Sequence, residues 1–355
     1  MLISKSAVVK DLGKWEYDEI KINDPNLDQA LIKIEGCGIC STDIVRSMQA
    51  GFYFYPIVPG HEMVGKIYKI SKNDKFKEGD SVCVYPLITK CTPPHNLGCT
   101  CSGYSQTPNL CSDYDFLGSR SNGGYSEFVL APVQNLVKIN PKLNTETAIF
   151  TEPAAVALHA FEIAKQNKKF EKVLILGLGP IGVLIANWCK LNEIPFVVGL
   201  DRNENRINNF KDSGYNEVID TSKSSIEERT NELTEKKGFD VVFECTGSEE
   251  VLNNGINSLS QKGLMVVLSN QIKNATLLKK SLNSILRKEI KIFGSWSSLI
   301  YPNNEWIQSM EGISIFKNNI KGLLSHKFKF SDCGTLFRNM YEKKFKFSKV
   351  VLFPD

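Results

Sequence analysis

The chain has 355 residues, of which 42% are hydrophobic and 23% charged, a composition typical of a globular protein of about two domains. Lysine and arginine outnumber aspartate and glutamate by only 43 to 39 and are spread along the chain, which excludes the basic face of a nucleic-acid-binding protein. No apolar run reaches the ~18 residues that span a membrane, and the N-terminal segment lacks the apolar core of a signal peptide. We therefore expect a cytoplasmic protein without a membrane partner, whose ten cysteines are metal ligands or buried thiols rather than disulfides.

The first part of the chain is rich in predicted β-strands. The segments HEMVGKIYKI, GDSVCVYPLI and YSEFVLAP combine β-branched and aromatic residues, and Gly, Pro, Asn and Asp separate them. The segment TEPAAVALHAFEIAK then predicts a helix with Pro153 in its first turn. Because the composition changes here, we place a domain boundary at this point.

Strand and helix segments alternate from Glu171 onward. The apolar runs that predict strands are KVLILG, FVVGL, NEVI, FDVVFECTG, GLMVVLS and EIKIFGS. Short apolar strands that alternate with helices are typical of a parallel sheet covered on both faces, so we predict an α/β fold of the doubly wound type. We assign residues 151–296 to a nucleotide-binding domain, inserted into a β-rich domain of residues 1–150 and 297–355.

A glycine-rich sequence follows the first of these strands. In VLILGLGPIG, Gly177, Gly179 and Gly182 have the G-x-G-x-x-G spacing and open an apolar helix, with Pro180 and Ile181 between the last two glycines. Such a turn lets a dinucleotide pyrophosphate approach the amides at the helix start. The alternative is a glycine-rich turn without a ligand, but the order of strand, turn, helix, strand and acidic residue favours cofactor binding by these five residues.

An acidic residue ends the next predicted strand. Asp201 lies at about the distance at which a carboxylate binds the adenosine ribose hydroxyls. Because a carboxylate there repels a 2′-phosphate, we predict NAD, and the neighbouring Arg202 leaves NADP as the alternative. Gly247, Ser269 and Ser295, at predicted strand ends, are further candidates for cofactor contacts.

Four potential metal ligands stand at predicted element ends. They are Cys40, the adjacent pair His61 and Glu62, and Glu152. Thiolate, imidazole and carboxylate are suitable zinc ligands, and three protein ligands leave a fourth position open for water or substrate. For Cys40 or His61 taken singly, the alternative is a buried thiol or a hydrogen-bonded core histidine.

A second cysteine group lies in a turn-rich segment. Its members are Cys91, Cys99, Cys101 and Cys111. Four thiols so close together in a cytoplasmic protein predict a closed structural zinc site. The alternative is a set of reduced surface thiols, which are uncommon because they oxidise.

Several motifs together resemble one family. GICSTD, PGHEMVG, the cysteine segment, TEPAAVALHA and VLILGLGPIG occur in the order found in the zinc-dependent medium-chain alcohol/polyol dehydrogenases. The resemblance covers nearly the whole chain. It implies a GroES-like catalytic domain around a Rossmann domain, a catalytic zinc ion, and assembly as a homodimer or homotetramer.

The resemblance also implies which residues bind zinc. Cys40 begins the family's Cys-x-Ser/Thr-Asp pattern, whereas Cys37 falls outside that pattern and is an extra thiol. His61 matches the histidine of the Gly-His-Glu motif, and Glu152 matches the later ligand. Glu62 is the neighbouring carboxylate, which binds zinc either directly or through water.

The same resemblance implies a mechanism. Zinc would lower the pKa of the substrate hydroxyl, and the carbon would then give its hydride to NAD. Thr42 matches the hydroxyl that relays a proton between substrate and cofactor ribose. We expect Asp43 to orient a zinc ligand rather than to act as a base.

The second cysteine group departs from the family pattern. The family spacing is Cys-x2-Cys-x2-Cys-x7-Cys, whereas this chain has C-x7-C-x-C-x9-C. The separation between Cys99 and Cys101 is therefore tighter than usual. His95 is an alternative ligand to one of the thiols.

Within the family, PLITKC, YDFLGSR and ILRKEIKIFGSW most resemble polyol-phosphate dehydrogenases, which implies a substrate like galactitol 1-phosphate. Phosphate needs cations, and the planar guanidinium groups of Arg46 and Arg120 suit it. The alternative is that both are ordinary surface or structural arginines. Other zinc enzymes, of the ribitol-phosphate, arabitol-phosphate, sorbitol or threonine dehydrogenase type, and a non-catalytic protein that binds NAD and zinc are the alternative functions. The complete ligand set and Thr42 argue against the last.

Overall fold

The computed structural model describes residues 1–89, 107–270 and 274–355. Within these ranges the strands are β1 (Leu2–Asp11), β2 (Lys14–Ile22), β3 (Gln29–Ile39), β4 (Glu62–Ile70), β5 (Ser81–Val84), β6 (Leu87–Thr89), β7 (Tyr114–Phe116), β8 (Phe128–Pro132), β9 (Leu136–Lys138), β10 (Lys172–Leu176), β11 (Phe196–Asp201), β12 (Val218–Asp220), β13 (Phe239–Glu244), β14 (Leu259–Val267), β15 (Lys291–Gly294), β16 (Leu324–Lys329) and β17 (Lys349–Phe353). The α-helices are α1 (Ser41–Val45), α2 (Thr145–Ala148), α3 (Thr151–Asn167), α4 (Pro180–Leu191), α5 (Glu204–Asp212), α6 (Ile226–Leu233), α7 (Glu249–Asn257), α8 (Lys279–Lys288), α9 (Glu305–Ile320) and α10 (Cys333–Tyr341). A π-helical turn, Arg46–Ala50, follows α1 directly. Of the helices in this described part of the chain, none is both long and apolar enough to cross a membrane.

The chain forms two compact units. Unit 1 comprises Met1–Glu152, Leu299–Ile315 and Leu324–Asp355. Unit 2 comprises Pro153–Ser298 and Phe316–Leu323, so it interrupts unit 1 along the chain.

The segment Phe316–Leu323 differs from the sequence-based division, which placed it with the β-rich domain. In the structure it belongs to unit 2. The backbone of α9 leaves helical geometry at Phe316, where φ is −100° and ψ is 19°. The Phe316 ring packs edge-on against Trp188 of unit 2, with ring centroids 5.5 Å apart. This aromatic contact attaches the end of α9 to unit 2.

Unit 1 is built on a seven-stranded sheet. The strand order is β16-β17-β3-β4-β5-β9, and β8 also pairs with β3. Only β16 and β17 run parallel, and the other neighbours are antiparallel. Ile32, Val84, Tyr125 and Phe337 are fully buried in its core. Because β3 lies at the centre of the sheet, the residues that follow it are held by strands on both sides.

Unit 2 has a six-stranded parallel sheet in the order β12-β11-β10-β13-β14-β15. This is the doubly wound order of a Rossmann fold, in which the strand order reverses between β10 and β13. The predicted α/β fold is confirmed, because each of the six apolar runs from residue 171 onward forms one strand of this sheet. Ligands of such sheets bind beyond the carboxyl ends of the strands at the point of reversal.

Candidate metal centre and cofactor loop

Three potential metal ligands of unit 1 meet at neighbouring strand ends. Cys40 follows β3 and begins α1, while His61 precedes β4 and Glu62 opens it. The two strands pair antiparallel with Gly38 opposite Glu62, which brings together residues that are distant in sequence. One ligand atom from each of Cys40, His61 and Glu62 lies within 4.8 Å of the other two.

The Glu62 carboxylate is held by a buried cation. Lys349 of β17 donates hydrogen bonds to Oε1 at 2.6 Å and to Oε2 at 2.7 Å, and the two side chains are 5% and 2% exposed. Burial lowers the pKa of Lys349, but the charge of Glu62 and other nearby anions raise it above its ordinary value, so the ammonium group stays charged. A Cβ on Gly38 would lie only 1.9 Å from Glu62 Oε2, so the carboxylate needs a glycine there.

Asp43 connects the same group to the core. Its Oδ1 lies 3.4 Å from His61 Nδ1, and its Oδ2 accepts hydrogen bonds from the Tyr125 hydroxyl at 2.7 Å and the Cys40 amide at 3.2 Å. Tyr125 is fully buried, so it fixes the carboxylate from within the core. With Nδ1 of His61 beside Asp43, Nε2 is the nitrogen left for a metal.

Glu152 approaches the group from the first turn of α3. Burial, together with the charges of Glu62 and Asp43, raises its pKa to about 7, while His61 and Lys349 act in the opposite direction. The protonation of the Glu152 carboxyl therefore depends on the charges of the neighbouring side chains that belong to or surround the metal group. Glu152 contributes none of the three ligand atoms that lie within 4.8 Å of one another.

The group is rich in anionic side chains around one imidazole. Burial alone lowers the pKa of His61, but the charge of Asp43 and hydrogen bonds with Asp43 and Cys40 raise it well above its ordinary value. Surroundings that stabilise an imidazolium ion also stabilise a metal cation at the same place. Sulfur, nitrogen and carboxylate oxygen are the donors that zinc prefers, so the residues present fit a zinc ion.

The glycine-rich turn of unit 2 joins β10 to α4. Gly177 has a φ of +96°, a conformation that glycine adopts readily and other residues rarely do. A Cβ on Gly182 would lie 1.9 Å from the carbonyl oxygen of Gly177, so only glycine lets the helix approach the turn. Gly179 is the N-cap and has no side chain to cap the helix, which begins with Pro180 and Ile181. The start of α4 therefore offers uncapped amides to an anion.

Asp201 ends β11 beside this turn. Its Oδ2 accepts a hydrogen bond from the Leu178 amide at 2.9 Å and lies 3.6 Å from Arg206 Nη1. Its Oδ1 accepts hydrogen bonds from the amides of Arg202 at 2.7 Å and Asn203 at 2.9 Å. The carboxylate thus ties the glycine turn to the start of α5. The side chain of Arg202 is exposed, and Arg206 is the cation that lies beside Asp201.

A buried carboxylate organises the ends of the next two strands. Glu244, at the end of β13, is fully buried, and its Oε1 accepts hydrogen bonds from the amides of Thr246 at 2.7 Å and Gly247 at 3.1 Å. Its Oε2 accepts a hydrogen bond from the Ser269 hydroxyl. Gly247 and Ser269 are thereby drawn together. The hydroxyl of Ser295 is buried without a hydrogen-bond partner among the described residues, and a bound molecule would supply one.

Comparisons with known proteins identify the family. The alcohol dehydrogenase GroES-like domain matches residues 26–141, and the zinc-binding dehydrogenase domain matches residues 180–314. The sorbitol dehydrogenase of Halalkalibacterium halodurans is 30% identical over 90% of this chain and 90% of its own length. The chain belongs to the zinc-dependent medium-chain dehydrogenases.

Two further comparisons match a relative by sequence and a solved structure. The galactitol 1-phosphate 5-dehydrogenase of Escherichia coli strain K12 is 27% identical over 92% of this chain and 93% of its own length. A crystal structure of galactitol-1-phosphate dehydrogenase from Escherichia coli has a TM-score of 0.86 and 26% identity, and the match covers 99% of this chain and 100% of that chain. This dehydrogenase is therefore an oxidoreductase of a zinc-binding family.

Unit 1 of this dehydrogenase also contains other residues predicted from the sequence, namely Thr42, Cys37, Arg46 and Arg120. Thr42 is half-buried in α1. Cys37 is fully buried and lies outside the group of three ligand atoms, and burial, with the charge of Glu62, raises the pKa of its thiol well above the ordinary value. Arg46 and Arg120 both lie against the ring of Tyr53.

Most of the predicted second zinc group lies outside the described residues. The ligands concerned are Cys91, His95, Cys99 and Cys101. Cys111 is described: it is buried, and its Sγ lies 3.2 Å from the carbonyl oxygen of Asp113. The structural zinc site of this dehydrogenase stays a prediction.

Sequence reasoning missed several side chains of these sites, among them Glu244. Lys349 opens the apolar segment KVVLFP, and a lysine at a strand start usually indicates exposure. Tyr125 lies in a loop without a pattern around it, and Tyr53 belongs to the aromatic run Phe52–Tyr55, which gives no indication of its partners. Arg206 had a local signal, because side chains in the first turn of a helix lean towards its start, where Asp201 lies.

Proposed function

We propose that this dehydrogenase oxidises a secondary hydroxyl of a polyol phosphate of the galactitol 1-phosphate kind, giving a keto-sugar phosphate, with NAD as the hydride acceptor. The observation that carries the proposal is the approach of Cys40, His61 and Glu62 to within 4.8 Å in a domain of the zinc-dehydrogenase family. The names of its relatives support the substrate class, since galactitol 1-phosphate and sorbitol dehydrogenases both match about nine-tenths of the chain.

In this proposal, Cys40, His61 and Glu62 would hold the zinc ion, and Glu152 would lie beside it at the start of α3. The compact geometry favours Glu62 over Glu152 as the third ligand. A zinc ion held by these residues would supply the Lewis acidity that lowers the pKa of the substrate hydroxyl towards neutral pH. Lys349 fixes the Glu62 carboxylate and compensates its charge.

Two residues of α1 have further roles in this proposal. Asp43 holds Nδ1 of His61 and keeps Nε2 aimed at the metal position, the usual task of a carboxylate behind a ligating histidine. The Thr42 hydroxyl accepts the proton of the substrate hydroxyl and passes it towards the cofactor ribose. A hydroxyl suits this step because it donates and accepts hydrogen bonds at the same time.

The glycine turn and Asp201 account for the choice of NAD. The amides at the start of α4 bind the pyrophosphate, with Gly177 and Gly182 providing the close approach. The Asp201 carboxylate accepts hydrogen bonds from the adenosine ribose and repels a 2′-phosphate. Gly247, Ser269 and Ser295 line the remaining strand ends, and the unsatisfied Ser295 hydroxyl supports a ligand there.

A substrate panel tests this function. Zinc-loaded protein is assayed for NADH formation with galactitol, sorbitol, arabitol and ribitol, with their monophosphates, and with threonine. We expect the highest kcat/KM with a hexitol phosphate and NAD. Sorbitol is the second candidate, because a sorbitol dehydrogenase is 30% identical to this chain. A preference for threonine or an unphosphorylated polyol would overturn the substrate class, and no turnover with any compound would favour a non-catalytic zinc- and NAD-binding protein.

We also propose that the enzyme acts in the cytoplasm as a homodimer or homotetramer. A zinc-binding thiolate such as Cys40 must stay reduced, and the cytoplasm keeps thiols in that state. The subunit number is proposed on the family resemblance. Light scattering of the purified protein measures it, and a monomer would contradict the proposal.

A further inference from the structure

Two arginines from distant parts of unit 1 share one aromatic ring. The Cζ atom of Arg46 lies 4.9 Å from the centroid of the Tyr53 ring, and that of Arg120 lies 4.3 Å from it. Arg120 also lies 4.4 Å from the ring centroid of Tyr114 and donates a hydrogen bond to its hydroxyl at 3.3 Å. Both guanidinium groups therefore contact the same aromatic ring.

Neither guanidinium has an acidic partner in the described part of the chain. Arg46 donates hydrogen bonds to the Gly51 carbonyl at 3.4 Å and the Tyr53 hydroxyl at 3.5 Å, both of which are neutral groups. The arginine ion pairs that the described ranges contain involve other arginines. Two neighbouring positive charges without a counterion repel each other, so a bound anion stabilises the pair. The hydrogen bond from Arg46 also lowers the pKa of Tyr53, as expected for a positive local potential.

The pair is accessible to solvent and held by connected loops. Arg120 is exposed, Arg46 is half-buried, and the Tyr53 residue is 55% exposed. Asn122, near Arg120, accepts a hydrogen bond through Oδ1 from the Val58 amide at 2.9 Å, which connects its loop to the one that carries Tyr53. A site whose cations are already positioned loses less conformational entropy when it binds a ligand.

The same pair is connected to the metal group through β7 and α1 of unit 1. Strand β7 carries Tyr114, which contacts Arg120, and Phe116, whose ring centroid is 5.6 Å from that of His61. Residues two apart in a strand point to the same face and are about 7 Å apart. Arg46 belongs to the turn that directly follows α1, the helix that Cys40 begins. Strand β7 and helix α1 therefore connect the two arginines to the metal group.

We propose that Arg46 and Arg120, held on the Tyr53 ring, bind the phosphate monoester of the substrate while a hydroxyl farther along the same molecule lies at the metal group. Guanidinium groups form bidentate hydrogen bonds with phosphate oxygens, and a phosphate dianion compensates both charges. A terminal carboxylate carries only one charge, so phosphate is the favoured ligand. The inference rests on the proposed function and assigns the residues that select its substrate class.

The test compares phosphorylated and unphosphorylated substrates in matched variants. Arg46→Gln and Arg120→Gln are assayed with galactitol 1-phosphate, galactitol and a hexonate, and Arg338→Gln, an exposed arginine of α10, is the control. Each of the first two variants should lower kcat/KM for the phosphate ester by about 10- to 100-fold, the effect of losing a charged hydrogen bond. Activity with galactitol should change little, and the control should match the wild type.

Tyr53 is a positioning residue, and its variants separate this role from folding. Tyr53→Phe keeps the ring and should keep the preference for phosphate, whereas Tyr53→Leu should reduce that preference without lowering activity towards galactitol. Equal losses with both substrates, or a preference for the hexonate that depends on the arginines, would overturn the phosphate assignment.

The outcome also distinguishes this inference from the proposed function. If the enzyme oxidises polyols and the arginine variants do not change its choice, the arginine site is wrong and the dehydrogenase activity stands. If no polyol or polyol phosphate is oxidised, calorimetric titration with inorganic phosphate still tests whether the two arginines form a phosphate site. Binding by the wild type that is lost in the double arginine variant supports the site, and equal or absent binding overturns it.

Discussion

Replacing Lys349 with methionine should lower the free energy of unfolding by about 3–5 kcal/mol, the typical cost of breaking a buried ion pair from one side. The Nζ atom lies 2.6 and 2.7 Å from the two Glu62 oxygens, and neither side chain is more than 5% exposed. Methionine has a similar length and fills the same space, so packing changes little. The cost comes from the Glu62 carboxylate, which is left buried without its cation.

Urea unfolding of chelator-treated protein measures this cost, since a bound metal would partly replace the lost cation. The double variant Glu62→Gln/Lys349→Met should be more stable than Lys349→Met alone, because it leaves no unpaired charge. Lys327→Met is the matched control: Lys327 pairs with Glu146 at the surface, and its loss should cost less than about 1 kcal/mol. If Lys349→Met stays within about 1 kcal/mol of the wild type, or the second substitution does not recover stability, the assignment of a buried ion pair is refuted.

Three further predictions concern the cofactor and the second metal. Asp201→Ala should lower the ratio of kcat/KM for NAD to that for NADP at least about tenfold, or ~1.4 kcal/mol, because the 2′-phosphate can then meet Arg206; an unchanged ratio would contradict this. Metal analysis should find about two zinc ions per chain, and Cys101→Ser should lose one and lower the melting temperature; a stable value of one would remove the structural site. Glu244→Gln should raise KM for NAD more than it changes kcat. The amide nitrogen of glutamine cannot accept hydrogen bonds as the carboxylate oxygen in its place does, for example the one from the Ser269 hydroxyl. Equal KM values would show that Glu244 does not shape the cofactor loop.

The fold was predictable from sequence wherever one local pattern had one physical cause. Each strand of the parallel sheet is a short apolar run, because a strand buried on both faces has no polar side. The glycine turn was equally predictable, since the positive φ of Gly177 and the close approach of the helix to the turn at Gly182 both require glycine. Motif resemblance selected Cys40, His61 and Glu62 as candidate ligands. The pairing of β3 with β4, which brings them together, was seen only in the structure.

The parts that sequence could not predict depend on contacts between distant segments. Lys349 and Glu62 are 287 residues apart, and no local pattern indicates that they pair. Arg46 and Arg120 were each selected for their chemistry, but only the fold shows that both contact Tyr53. The end of α9 was assigned to the β-rich domain because its pattern is mixed, and it lies in unit 2, where Phe316 contacts Trp188 and Asn319 forms hydrogen bonds with Asn187 and Ser213.

The central claim, a catalytic zinc ion held through Cys40, is tested most directly by comparing Cys40→Ser with Cys37→Ser for zinc content and NADH formation. Serine replaces a soft thiolate with a poorly ionised hydroxyl, so Cys40→Ser should lose the catalytic zinc and its turnover. Cys37→Ser should keep both, since Cys37 lies outside the ligand group. The opposite result, in which Cys37→Ser loses zinc and turnover while Cys40→Ser keeps both, would contradict the account.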